Sequence, residues 1–216
     1  MTVINPQLST AVVIGNGSNL AQVNLSQLSK IGTTFGCNAL YRIFKPDFLV
    51  AIDAGMIEEI STSDYPKDRF IIPSIEEQHE PRQLYVDLGY DLPTTVSPVD
   101  FPRSNAGMNA MIEAIRRGHK QLVMIGFDFI VASSEISTSN FFESTRNYGA
   151  LTKATFHDTV NRMRYLNWFL DQHPDIKFIF VYPIINGSVT VWEFTCSNTI
   201  LGLSYEELND YCASLK

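Results

Sequence analysis

Six short apolar runs punctuate the chain, at residues 11–14, 33–37, 48–52, 70–72, 121–125 and 177–182. They are continuous rather than alternating apolar and polar. Strands buried on both faces read this way, and such strands belong to parallel sheets covered by helices. This succession constrains the fold more than any other feature of the sequence.

Helical patterns lie between the runs. Residues 105–117 place Met108, Met111, Ile112 and Ile115 on one face, and Gly118 follows as a stop signal. Residues 156–172 place Phe156, Val160, Met163, Leu166 and Leu170 on one stripe. Residues 204–214 open with Ser204-x-x-Glu207, a capping box. Strands alternating with helices predict an α/β fold: a single Rossmann-like, doubly wound, mainly parallel sheet with helices on both faces.

The 216 residues suit one domain spanning 1–216, since one core serves chains up to ~250 residues. Residues 132–153 have no clear period and carry Phe141, Phe142 and Tyr148. So long a stretch in a compact domain reads as a lid over a ligand or as a surface excursion. Residues 61–67 and 92–103 are also irregular, rich in Ser, Thr, Pro and Asp.

Charge narrows the partners. The net charge is −7 and no Lys/Arg cluster occurs, so nucleic acid is not expected. The three cysteines, Cys37, Cys196 and Cys212, lie far apart and fit neither a zinc site nor a disulfide scaffold. No apolar run reaches the ~18 residues of a membrane span. The first residues lack the pattern of a signal peptide. A soluble, cytoplasmic protein is expected.

In an open parallel sheet, ligands bind where strands end and helices begin. Several residues fall there. Gly15-Asn16-Gly17-Ser18 directly follows the first run. Its glycines suit a close backbone approach to a phosphate or ribose, or equally a plain turn. It is neither GxGxxG nor a Walker A loop. Asn38 and Asp53 follow the second and third runs, as ligand contacts or as helix caps. Arg103 precedes a helix whose first turn offers Ser104, Asn105 and the Gly107 amide. That set suits an anion, or a capped helix beside a surface arginine. Asp128, in Gly126-Phe127-Asp128-Phe129, is either a structural carboxylate bonding loop amides or a substrate contact.

His157 opens the helix at 156–172, flanking its apolar stripe. A helix N-terminus favours neutral imidazole, as a general base requires. A solvated histidine at a helix start is the alternative. His119 and His173 read as surface residues near helix ends, and His79 has no site context. No GxSxG motif and no acidic pair with metal-ligand spacing is present, so a metal-free site is expected.

Taken in order, VVIGNGSNL, FGCNALYR, NAGMNAMIEAIRRGHKQLVMIGFDF and FHDTVNRMRYLNWFL resemble the successive motifs of the small bacterial sialyltransferases of Campylobacter type. They also resemble proteins of phages and marine bacteria. The family resemblance implies a single nucleotide-binding α/β domain with a lid, and metal-free transfer from CMP-sialic acid. The nucleotide-sugar is then substrate rather than cofactor. Gly15, Asn16, Gly17 and Ser18 fall on the loop that receives the cytidine nucleotide. Asn38 falls on the asparagine contacting the donor, and Arg103, Asn105 and Gly107 fall beside the nucleotide-sugar. His157 falls on the base that deprotonates the acceptor hydroxyl of a glycan or similar acceptor. Members often form tetramers, which makes a homo-oligomer an expectation.

Two departures stand out. Ile130 and Ile136 occupy positions where the family has tyrosines that donate to the departing phosphate. Leaving-group stabilisation then falls to Tyr148 or to hydroxyls of the lid. Ser18-Asn19 stands where Pro-Ser is usual. The rival readings are a non-catalytic nucleotide-binding module and a pyrophosphokinase-like transferase. The last predicts Asp53 and Asp128 converging on Mg²⁺.

Overall fold

The computed structural model describes residues 3–74, 104–149, 154–184, 188–195 and 200–215. His79, Arg103, Cys196, the stretch 92–103 and residues 150–153 lie outside that set.

Seven strands form one sheet among the described residues, in the order β4-β3-β2-β1-β5-β6-β7. They are β1 (Thr10–Ile14), β2 (Thr33–Cys37), β3 (Phe48–Val50), β4 (Phe70–Ile71), β5 (Gln121–Ile125), β6 (Lys177–Tyr182) and β7 (Ile200–Ser204). Every adjacent pair is parallel. The helices are α1 (Ala54–Thr62), α2 (Ala106–Arg116), α3 (Ser134–Ser137), α4 (Phe156–Asp171) and α5 (Tyr205–Ser214).

All five residues of β1 are buried, and the period of two in a strand divides them between the two faces. Ala11 and Val13 pack with Met108 and Met111 of α2 and with Met163 and Leu166 of α4. Val12 and Ile14 pack with Met56 and Ile60 of α1 and with Leu208 and Cys212 of α5. The sheet is therefore doubly wound, as the continuous apolar runs require. Among the described residues no helix is long and apolar enough to cross a membrane.

Three local expectations are corrected. The stripe expected on α4 begins too early: Phe156 is 43 % exposed and lies beside the Trp192 ring. The face that covers the sheet is Thr159, Met163, Leu166 and Leu170, flanked by Tyr165 and Phe169. The first turn projects past the sheet, where there is nothing for Phe156 to cover. His119 and His173 are half-buried rather than superficial. His119 Nδ1 is 3.0 Å from Ser9 Oγ, and the His173 ring lies 4.5 Å from that of Phe169. Burial lowers the pKa of both. Third, the sheet gains an edge strand, β7, beyond the six runs. Its Gly202 lies against the end of the Tyr182 side chain, which would have to shift to admit a Cβ there.

The described part of the 132–153 segment is anchored at its base. Val131 bridges Val191, Ala132 N donates to Thr190 O at 2.9 Å, and Trp192 N donates to Ile130 O at 2.8 Å. After the single turn of α3 it runs through turns across the carboxyl edge of the sheet.

Candidate functional site at the carboxyl edge of the sheet

The chain winds outward from β1 to β4, then returns to place β5 on the other side of β1. Loops leaving β1 and β5 thus part in opposite directions, and the crevice between them is where open α/β sheets take ligands. Here the two loops are in backbone contact. Gly15 N donates to Ile125 O at 2.7 Å, and Gly17 N donates to Gly126 O at 2.9 Å. A Cβ at Gly15 would lie 2.5 Å from Gly126 O, and Gly126 itself has φ +70. The glycines are required by this close approach. The amides of Gly15 and Gly17 are thereby occupied.

Asp128 supports the loop from below. Its Oδ2 accepts from Asn19 N and from Asn19 Nδ2, both at 2.9 Å. A side chain at Gly17 would fall on its carboxylate. Asp128 is 4 % exposed, and burial pushes its pKa up to about 6 despite those two bonds. Asp128 thus bonds the loop through Oδ2, while its Oδ1 is buried without a partner among the described residues. Ser18 Oγ lies 2.6 Å from Ser139 Oγ, joining the loop to the 132–149 segment.

Asn16 points the other way. It is buried, its Nδ2 donates to the Tyr148 phenol oxygen at 3.1 Å, and its carbonyl accepts from Phe141 N at 2.8 Å. Its Oδ1 is buried without a partner among the described residues. Burial, with Cys37 adding to it, pushes the Tyr148 phenol up to about 12, while the Asn38 and Asn16 side chains pull it down. The phenol is therefore neutral and lies against both asparagines.

Neither Asn38 nor Asp53 caps a helix. Asn38 has φ +48 and follows Cys37 into a short 3-10 turn. Asp53 precedes α1 but makes no side-chain cap bond. The two side chains bond each other, Asn38 Nδ2 donating to Asp53 Oδ2 at 3.1 Å. Asn38 Oδ1 is buried and unpartnered among the described residues. Cys37 beside them is held protonated, its thiol pushed up to about 12 by burial and by Asp53.

Asn105 does cap. Its Oδ1 accepts from Met108 N at 3.0 Å, opening α2. Gly107 packs on Phe127, where a Cβ would lie 3.1 Å from the ring. α2 begins, then, beside the β5 loop.

α4 leads into β6, whose direction is that of the rest of the sheet, so its first turn lies at the carboxyl edge. The helix packs against the 3-10 turn at Asp128–Ile130. Thr155 and Asp158 close a capping box around this end. His157 is exposed there, its Nε2 3.3 Å from Asn161 Nδ2.

The chain is similar to solved structures of the sialyltransferase CstII from Campylobacter jejuni. One, in complex with a substrate analogue, is 17 % identical over 95 % of this chain and 99 % of that chain, with a TM-score of 0.48. Another, in complex with trisaccharide acceptor and CMP, is 18 % identical over 80 % of each chain, with a TM-score of 0.47. No protein-family model matches the chain, and no curated protein matches it.

Ile130 is 1 % exposed, and both Ile130 and Ile136 pack on the α2/α4 side of the sheet. Tyr148 is the phenol that reaches the β1 loop. What delivers it is a clasp that the sequence analysis did not single out. Glu59 on α1 accepts from Tyr41 Oη at 2.6 Å and from Arg42 Nε and Nη2 at 2.7 Å each. Arg42 also donates to Thr145 Oγ1 and to the Arg146 carbonyl, and Asn147 Nδ2 donates to Glu59 Oε2 at 2.8 Å. Burial opposes ionisation of Glu59, yet the bonds from Tyr41 and Arg42 hold it below the usual carboxylate value. Phe142 is buried beneath, with the Arg42 guanidinium 5.8 Å from its ring centre.

Proposed function

We propose that the chain is a glycosyltransferase-like enzyme. It binds a CMP-linked sugar over Gly15–Ser18, Asn38 and the start of α2 at Asn105 and Gly107. It transfers the sugar to an acceptor hydroxyl by direct displacement with inversion, without a metal. Arg103 is assigned to the nucleotide-sugar and His157 to the acceptor proton. The observation that supports this reading is the polar cluster where the loops after β1 and β2 meet Tyr148. There the oxygens of Asn16 and Asn38 are buried and unpartnered among the described residues, beside a neutral phenol. Buried acceptors of this kind demand donors, and a cytidine nucleotide carries an exocyclic amine and ribose hydroxyls. The order of the sequence motifs supports the same reading.

In this scheme His157 takes the acceptor proton as the acceptor oxygen attacks the anomeric carbon. The bond from that carbon to the phosphate oxygen breaks, and CMP leaves with the electron pair. Tyr148, neutral and next to Asn16, is the donor assigned to the departing phosphate in place of the missing tyrosines. A pyrophosphokinase is disfavoured because its two carboxylates do not converge. Asp53 follows β3 and Asp128 follows β5, with β2 and β1 between them. At ~4.8 Å per strand spacing they are roughly 14 Å apart in the sheet direction. The non-catalytic module is favoured by one observation, the apolar burial of Ile130.

A thermal-shift panel tests the proposal, since a ligand bound to the folded state raises the melting temperature. CMP and CMP-sugars are expected to raise it. A shift with ATP and Mg²⁺ but none with CMP overturns the proposal. CMP binding without sugar transfer to any hydroxyl acceptor points to the binding module.

A further inference from the structure

Residues 140–149 cover the loops after β1 and β2, and little apolar packing holds them there. Phe142 alone among them is buried. Ser144 and Asn147 stand at φ +66 and +65, a region that residues with a side chain enter at a cost. Phe141 N donates to the Asn16 carbonyl, and the Tyr148 phenol lies against the side chains of Asn16 and Asn38. Beneath this cover, Asn16 Oδ1 and Asn38 Oδ1 are shut away from solvent without a partner among the described residues, which adds a further cost. Segments with few buried apolar contacts open locally, without global unfolding. Polar ties therefore decide whether this one stays down.

Those ties converge on one carboxylate. Asn147 Nδ2 donates to Glu59 Oε2 at 2.8 Å and to the Gly55 carbonyl at 3.1 Å. Arg42 pairs with both Glu59 oxygens and, from that position, donates to Thr145 Oγ1 at 2.8 Å and to the Arg146 carbonyl at 2.9 Å. Arg146 Nε lies 3.8 Å from Glu59. Glu59 itself sits on α1, in the body of the fold, and is 7 % exposed. Loss of its charge unfastens Asn147 directly and residues 145–146 through Arg42.

We propose that Glu59 is a latch. Through Arg42 and Asn147 it fastens residues 140–149 as a cover, and a ligand reaches Asn16 and Asn38 when the fastening lets go. The fastening stands on the contacts alone, whereas the entry step rests on the nucleotide-binding reading above.

Hydrogen exchange of the full chain, read by mass spectrometry, tests the latch with the variants Glu59→Gln and Asn147→Gly. The first removes the charge that Arg42 pairs with. The second removes one tie and keeps φ +65 without strain. The amides of Phe141, Ser144, Thr145 and Tyr148 are bonded within the segment or to the β1 loop. Their exchange should quicken at least tenfold in Glu59→Gln and at least threefold in Asn147→Gly. Amides of β1 and β5 should stay within twofold of the unaltered protein, which also reports that the variants fold. Should Glu59→Gln not fold, Asn147→Gly carries the comparison. Exchange that rises equally in segment and strands, or in neither, overturns the latch. Stopped-flow measurement of CMP association tests the entry step, and its rate constant should rise at least threefold in Asn147→Gly. An unchanged rate beside a loosened segment overturns that step. A chain whose segment loosens as described but which binds no CMP overturns the nucleotide reading and leaves the latch standing.

Discussion

The Asn16 amide donates to the phenol oxygen of Tyr148 at 3.1 Å, across 132 residues of chain. This contact ties the segment after β5 to the loop after β1, and so makes one site of two distant stretches. Tyr148→Phe keeps the ring against Phe142, 6.0 Å away, but leaves a buried amide donor without its acceptor. The expected cost is about 1–2 kcal/mol of stability, measured by denaturant unfolding. The CMP-induced rise in melting temperature should shrink as well.

Gly17→Ala sets a methyl against the Asp128 carboxylate. Overpacking of this kind costs about 2 kcal/mol. In an Asp128→Ala background the same change should cost little, since the obstructing atoms are gone. A double-mutant cycle on unfolding free energy measures this coupling, and simple additivity would show that the two loops do not meet as described.

Asp128 makes stability depend on pH. Its pKa rises from the ordinary 3.8 to about 6 on folding, so the folded chain binds the proton more tightly than the unfolded one. The folded state is favoured while this carboxyl is protonated. That advantage declines as pH rises from about 4 and is gone above about 6, a change on the order of 3 kcal/mol. Asp128→Asn should flatten this part of the stability profile. An equally steep decline in the variant would assign it to another group.

His157→Ala removes an exposed side chain at the first turn of α4 and should leave the fold and CMP binding unaltered. Sugar transfer should fall by 10²-fold or more, the range of general-base contributions. Transfer at the original rate would move the base elsewhere.

Most of the sheet was legible because buried parallel strands announce themselves as continuous apolar runs. β2, β5 and β6 match those runs end to end. β7 escaped notice because Gly202 interrupts its pattern, and that glycine lies against the end of the Tyr182 side chain. The positions of Gly15, Asn16, Gly17 and Ser18 followed from the rule that ligands gather at strand ends. Their partners did not follow. The Asp128 support and the Tyr148 contact join residues more than 100 positions apart. Asn38 and Asp53 are preferred capping types, so sequence alone left their role open until neither proved to cap. The Arg42–Glu59 clasp had no signal of its own, since each charge looks like surface until the 140–149 turns cover it.

The packing of Gly17 on Asp128 also has a consequence for descent. A relative that carries a larger residue at 17 is expected to have lost the carboxylate at 128 or to have shifted the loop. The two positions are therefore expected to change together. In any newly found cousin of this chain, glycine at one together with aspartate at the other marks a retained crevice, whatever has become of the chemistry above it.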